Sequence, residues 1–311
     1  MRILITGAGG YIGRACVRGF AQQGWTVRAA SRSPQPLPGV EPAQVAAIDG
    51  ETSWGPHLQG VDAVLHLAGV AHQPHTDADT YRRVNADGTR QLARAAAASG
   101  VRRFVFVSSI AVYSRKAATQ GLDEASPLAP DDPYGRSKAE AEAALAEAAQ
   151  GSVMTWTVIR PPLVYGPDAP GNFRRLVGLV RRGIPLPLAA ANAPRSYIGL
   201  DNLVSALECA ARQPEAANQA YVVSDGEEAG TAQLIRWIAQ GLARPPRLFC
   251  VPETALRLGA AAVGRAGDAA RLLDPLRVDS RRFRDTLRWQ PPVSLEEGVR
   301  RSVASASTRA A

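Results

Sequence analysis

An α/β protein with a doubly wound parallel sheet, followed by a smaller C-terminal α+β domain, is the fold class that this 311-residue sequence predicts. Three observations predict it. A short β-branched run at residues 2–6 leads into the glycine turn TGAGGYIG, Thr6 to Gly13, and then into helix. Short apolar runs and longer helical patterns then alternate as far as residue 160. Beyond RPPLVYGP, Arg160 to Pro167, proline and glycine become frequent and the alternation loosens. A Rossmann domain is therefore expected over residues 1–168 and a substrate domain over 169–311, with a strand near 219–224 returning to the main sheet.

The first strand, residues 2–6, ends at Gly7, which permits a tight turn. Gly10 lets backbone N–H groups approach a pyrophosphate at the helix N-terminus. Gly13 lets that helix, expected to run to about residue 23, pack closely on the strand. Strand two covers 26–30. A NAD-binding chain usually carries an acid at its end for the ribose hydroxyls. Ser31 and Arg32 stand there instead and suit a 2′-phosphate, so NADP(H) is favoured and NAD(H) is the alternative. The plainer reading of Arg32 is a side chain that points into water.

Residues 33–42 read as a proline-rich loop, and 44–48 as strand three, ending at Asp49. Strand four is 63–67 and contains His66, which reads as a hydrogen-bonded core histidine. A long helix over 79–99 carries Asn85. Strand five is 103–108, a helix rich in alanine and glutamate covers 135–150, and strand six is 155–160. The second half predicts helices at 173–182, 203–212, 231–242, 253–263 and 295–302, a strand at 220–224, and disorder after about residue 303.

The formal net charge of +8 comes mainly from arginine, with no lysine-rich tail and no aromatic-interleaved basic stripe, so nucleic acid is not an expected partner. Cys16, Cys209 and Cys250 lie far apart without metal spacing, which predicts neither disulfide framework nor zinc site. No apolar run has the length of a signal core or a membrane span, so a cytoplasmic protein without membrane attachment is expected.

The chemistry concentrates in YGRSK, Tyr134 to Lys138, downstream of Ser108 and Ser109. Four residues make about one helical turn, so Tyr134 and Lys138 share a face. A free phenol titrates near about 10, and bringing it to neutrality takes about 4 kcal/mol. An ammonium roughly 4 Å away supplies about that much at an effective dielectric of about 20. Lys138 is thus expected to make Tyr134 a general acid/base near neutral pH, with Ser109 holding the same substrate oxygen. YxxxK alone is common; behind a dinucleotide turn it is informative.

Taken together, TGAGGYIG, Asp49, HLAG (His66 to Gly69), VNADGT (Val84 to Thr89), SSIAVY (Ser108 to Tyr113), YGRSK, RPPLVYGP and RSYIGLD (Arg195 to Asp201) resemble the extended short-chain dehydrogenase/reductases, within them the nucleotide-sugar epimerase/dehydratase family. The resemblance covers nearly the whole chain. It implies Ser109 as the catalytic hydroxyl, Tyr134 as acid/base and Lys138 on the nicotinamide ribose. It also places Tyr11 and Ile12 on the pyrophosphate, Asp49 on the adenine amino group, and Leu67, Ala68, Gly69, Asn85 and Pro162 along the cofactor. Asn172 and Arg195 would hold the diphosphate of a UDP- or dTDP-linked sugar, where the arginine fork matches phosphate oxygens.

Two positions depart from the family pattern: Leu163 replaces a frequent asparagine, and Ser31–Arg32 replace the usual acid. The 4,6-dehydratases carry an Asp-Glu pair after the catalytic hydroxyl, whereas Ile110 and Ala111 cannot titrate. The cysteine of the 3,5-epimerase/reductases is also missing from this loop. What the resemblance implies is redox at one carbinol carbon, C4 of a hexose, as a 4-epimerase or a 4-ketoreductase for polysaccharide or O-antigen sugars. A carbonyl or steroid-type reductase, and a non-catalytic nucleotide sensor, are the competing readings. Family members pair the two alanine-rich helices in a dimer, so a homodimer is expected.

Overall fold

Arg2–Thr6 (β1) forms the strand that its sequence predicts, and Ile3, Leu4 and Ile5 are fully buried on both faces. Such a strand belongs at the centre of a covered parallel sheet. The structure, a computed structural model, describes residues 1–73 and 76–308. Its main sheet adds Thr26–Ser31 (β2), Val40–Gln44 (β3), Ala63–His66 (β4), Arg103–Val107 (β5) and Thr155–Arg160 (β6). Leu163–Tyr165 (β7) and Tyr197–Gly199 (β8) pair with each other in a separate parallel ribbon, and Gln219–Val222 (β9) joins the main sheet beside β6. The seven-stranded order is β3-β2-β1-β4-β5-β6-β9, parallel throughout. The order reverses between β1 and β4, where a crevice opens at the strands' C-terminal ends.

One face of the sheet packs Phe20, Leu203, Phe283 and Trp289; the other packs Trp54, Leu92, Phe104 and Leu145. A third cluster, around Tyr165, Phe173, Ile238 and Leu295, holds the C-terminal half together.

Strand three differs from its expected position. It covers residues 40–44, pairing Val27 with Val40 through to Ser31 with Gln44, so the expected run 44–48 only begins at its last residue. Pro42 is tolerated because β3 is an edge strand. Glu41 fixes the register through salt bridges of 2.9 Å to both Arg2 and Arg28. Strand β7 of the ribbon β7–β8 was not among the expected strands.

The helix expected over 79–99 is continuous but changes pitch: Ala78–Tyr81 and Gly88–Ala98 are α-helical, and Arg82–Asp87 between them is π-helical. Two short helices, Ala266–Leu273 and Arg281–Leu287, were not expected. The last helix, Leu295–Thr308, passes the point where disorder was expected, and residues 309–311 lie outside the described residues. Among the described residues, no helix is long and apolar enough to cross a membrane, and no cluster of metal-ligating side chains exists.

Candidate active site

The loops after β1 and β4 touch. Gly7 has φ +68°, and a methyl group on it would lie 2.8 Å from the Ala68 nitrogen. One on Gly13 would lie 2.1 Å from the Gly7 carbonyl oxygen, so helix Tyr11–Gln22 starts hard against the turn. Its N-cap, Gly10, offers no side-chain hydrogen bond to the first-turn amides, which leaves them for an anionic ligand. In front lies a cleft of about 840 Å³, lined by Gly7, Gly10, Ser31, Arg32, Asp49, Leu67, Ala68 and Gly69. Size, glycine spacing and amides together fit a dinucleotide.

Of the other expected cofactor residues, Tyr11, Ile12, Asn85 and Pro162 do not line this cleft. The Asp49 carboxylate accepts hydrogen bonds from the Glu51 amide and the Thr52 hydroxyl. The Tyr11 side chain lines a different groove, its hydroxyl against Gly166 and raised in pKa by burial. Ile12 packs on the core, and Pro162 is buried between β6 and β7. Asn85 occupies the π-helical stretch, a distortion common at functional sites. Its Oδ1 accepts from the Val70 amide at 2.8 Å, and its Nδ2 donates to the Val70 carbonyl at 3.1 Å and to Ser137 Oγ at 3.0 Å. A methyl group on Gly69 would sit 2.7 Å from Asn85 Oδ1, so a larger residue there would have to displace the Asn85 amide. Arg83, which sequence reasoning missed, lines the same cleft as Ser31 and Arg32; its place two residues before Asn85 was the available signal.

Ser109 and Tyr134 are brought together by two local devices. Ser109 caps the 3₁₀ turn Ile110–Val112 after β5, its Oγ accepting from the Ala111 amide at 3.1 Å. Helix Pro133–Ala149 starts with an Asp132 cap on the Gly135 amide (2.8 Å) and with proline in its first turn. A methyl group on Gly135 would lie 2.1 Å from the Ala111 carbonyl oxygen, so the helix start abuts the Ser109 turn. The Ser109 hydroxyl lies near enough to the Tyr134 phenol to favour its ionised form. Its ring meets those of His72 and Tyr81 edge-on, each at 5.7 Å.

Lys138 is buried, donates to the Val107 carbonyl at 3.0 Å and lies 4.6 Å over the Phe106 ring. The electrostatics differ from expectation. Burial pushes the Tyr134 hydroxyl up to about 12, opposed by the neighbouring Ser109 hydroxyl and helped by Asp132 and Tyr81. Burial pushes Lys138 down to about 8, while Glu142 opposes it. Desolvation, not the helical-turn attraction that the spacing suggested, is the dominant influence on both groups. One turn further on, Glu142 forms a buried bidentate pair with Arg160 at 3.0 and 2.5 Å, and Arg160 also donates to the Tyr113 hydroxyl at 2.6 Å.

A second cleft, of about 530 Å³, lies in the C-terminal half. Asn172, at the start of helix Asn172–Arg181, lines it with Arg175, Arg265 and Asp268; most of the remaining lining is apolar, including Leu176, Leu179, Leu256 and Leu272. Arg195 is not among its lining residues: Nη1 donates to the Asp274 carbonyl, and its charge favours the ionised form of the Tyr197 phenol. Arg175, Arg265 and Asp268 escaped sequence reasoning because they sit in stretches without a recognisable motif.

The sequence model of the NAD dependent epimerase/dehydratase family matches residues 3–224. A UDP-glucose 4-epimerase of Vibrio cholerae is 35% identical, over 96% of this chain and 94% of that protein. A 2-alkyl-3-oxoalkanoate reductase of Stenotrophomonas maltophilia is 31% identical, over 99% of this chain and 100% of that protein. Among solved structures, MoeE5 in complex with UDP-glucose and NAD superimposes with a TM-score of 0.80 at 23% identity, covering 100% of both chains.

Proposed function

The chain belongs to the NAD dependent epimerase/dehydratase family, and from that premise we propose that it is an NAD(P)-dependent oxidoreductase or epimerase acting at C4 of a nucleotide-activated hexose. The observation that carries this reading is the Ser109–Tyr134 hydroxyl pair next to buried Lys138, with only Ile110 and Ala111 following the serine. Ser109 orients the substrate oxygen. Tyr134 holds a proton for it, or takes one from it, and Lys138 stabilises the phenolate side of that exchange. A bound nicotinamide supplies or accepts hydride at the same carbon. Dehydration is outside this reading, because it requires proton transfer at neighbouring carbons and neither Ile110 nor Ala111 titrates.

The dinucleotide would be held by the first-turn amides of helix Tyr11–Gln22, by Asp49 and by the 67–69 loop. Ser31, Arg32 and Arg83 would favour NADP(H). For the sugar nucleotide's diphosphate we retain Asn172 and Arg195 and add Arg175 and Arg265, which line the second cleft. The proposed domain division remains 1–168 and 169–311, with β9 in the main sheet, and the proposed assembly is a homodimer.

The test is incubation with a panel of UDP- and dTDP-hexoses and their 4-keto-6-deoxy derivatives, with and without NADPH. A 4-ketoreductase consumes NADPH stoichiometrically; a 4-epimerase interconverts C4 epimers without net consumption. A second reading has support in the full-length similarity to an oxoalkanoate reductase and in the largely apolar second cleft. Turnover of long-chain 3-oxo acids, with none on any sugar nucleotide, would establish it instead.

A further inference from the structure

We infer that the buried chain Thr6–His66–Thr89 is a positioning device, with His66 keeping the cofactor loop in register with the helix that carries Tyr134 and Lys138. The hydrogen bonds leave one way to distribute the protons. Thr89 Oγ donates to the Asn85 carbonyl at 2.5 Å, so its only proton is used there. Towards His66 Nε2, 3.0 Å away, Thr89 Oγ must accept, and Nε2 therefore carries the ring proton. Nδ1 of a neutral ring then accepts, and Thr6 Oγ donates to it at 2.6 Å. The remaining capacity of Thr6 Oγ takes the Ala68 amide at 3.3 Å.

All three side chains are fully buried. His66 stacks on Phe106 at 5.5 Å, with Lys138 Nζ 4.6 Å from the centre of that same ring, so a charged imidazole would face a second cation. Burial accordingly depresses its pKa to about 3.

The chain continues at both ends into the site. Ala68 is in the loop that touches Gly7. The Asn85 carbonyl belongs to the π-helical stretch, and the Asn85 amide grips Val70 and Ser137. Ser137 Oγ in turn donates to the Tyr134 carbonyl at 2.8 Å. One directed path thus joins the glycine turn, the β4 loop, the π turn and the Tyr134 helix. The role rests on the reading of Tyr134 and Lys138 as reacting residues, but the path itself does not.

The test uses full-length protein. In ¹⁵N-histidine spectra of the wild type, His66 should show a protonated Nε2 and an unprotonated Nδ1; the opposite tautomer, or a charged ring at neutral pH, overturns the proposal. Thr89→Val keeps the shape and removes the hydroxyl. It should lower kcat about 10- to 100-fold, as small displacements of reacting groups do. NADPH affinity, read by fluorescence, should weaken, the sugar KM should stay within about twofold, and Thr89→Ser should restore both kcat and affinity. Folded Thr89→Val with wild-type affinity and kcat overturns the proposal, as does a loss that only tracks the folded fraction. If Thr89→Val does not fold, the tautomer and His66→Gln, which keeps one donor and one acceptor, decide it by the same affinity measurement. Should no sugar nucleotide turn over, the tautomer and NADPH affinity still decide this proposal, while the substrate reading fails separately.

Discussion

Tyr134 and Lys138 stand one helical turn apart, and burial moves both of them away from their charged forms. At neutral pH the Tyr134 hydroxyl, pushed up to about 12, is a proton donor as it stands, whereas Lys138, at about 8, changes charge within the assay range. Below about pH 8 the ammonium can stabilise a developing phenolate; above it that help is lost. The kcat/KM for carbonyl reduction should therefore fall as pH rises through about 8, and Lys138→Met should lack this limb. A variant that keeps the same limb would assign it elsewhere. Tyr134→Phe should lose at least about 100-fold in turnover while NADPH still binds. Lys138 also carries a stability consequence. Between about 8 and the ordinary lysine value of 10.5, the unfolded chain binds its proton more tightly, so this group's contribution to stability rises with pH there and is least favourable below 8. Lys138→Met should accordingly unfold at pH 7 no more easily than wild type. At the adenosine end, Arg32→Ala and Arg83→Ala should each weaken NADP(H) and leave NAD(H) nearly unchanged. Equal losses for the two cofactors would place both arginines away from a 2′-phosphate.

Among the elements, helix Pro133–Ala149 does more than present the reacting pair. Glu142 and Arg160 are both buried, and their bidentate contact ties this helix to β6 while Tyr113 ties the Ser109 turn to the same guanidinium. Removing one partner of such a pair costs about 3–5 kcal/mol, because the other charge is left buried and alone. Arg160→Met and Glu142→Gln should each destabilise by that order in urea unfolding, and the double replacement Glu142→Leu with Arg160→Met by much less than their sum. Additive losses would mean the two charges act independently. This pair also marks how much the sequence disclosed. β1 and β6 were legible to the residue, because β-branched runs bounded by turn residues encode them locally. Tyr134 and Lys138 were expected on one helix face from their spacing, and Ser109 was named through the family resemblance. The protonation of Tyr134 and Lys138 was not legible, because it follows from burial by segments distant in sequence. β3 was misplaced since its register depends on Arg2 and Arg28 holding Glu41, which composition does not reveal. The π stretch escaped for the same reason: it follows from Asn85 bonding Val70 and Ser137, not from the periodicity of residues 79–99.

For the whole molecule, the remaining question is what covers the outer face of helices Gly88–Ala98 and Pro133–Ala149. Their inward alanines, Ala93, Ala96, Ala141 and Ala144, are spent on the chain's own core and explain only how closely the helices approach the sheet. Outside, Ala98 and Ala143 are exposed, in company with Arg94, Arg136, Glu140 and Glu147, and Arg94 pairs with Glu147 across the two helices at 3.7 Å. Small residues flanked by charges of both signs can meet a two-fold copy of themselves, since each acid then finds an arginine across the axis. The expected outcome is a mass of twice the chain by light scattering at micromolar concentration. Ala143→Glu should convert it to monomer by adding bulk and like charge at the seam, while NADPH affinity stays unchanged because Ala143 does not line the dinucleotide cleft. A monomeric wild type removes the dimer. A variant that stays dimeric moves the interface to another face, the first alternative being the groove between helices Tyr11–Gln22 and Leu200–Arg212, where Arg14, Arg18, Asp201 and Glu208 again place both signs of charge together.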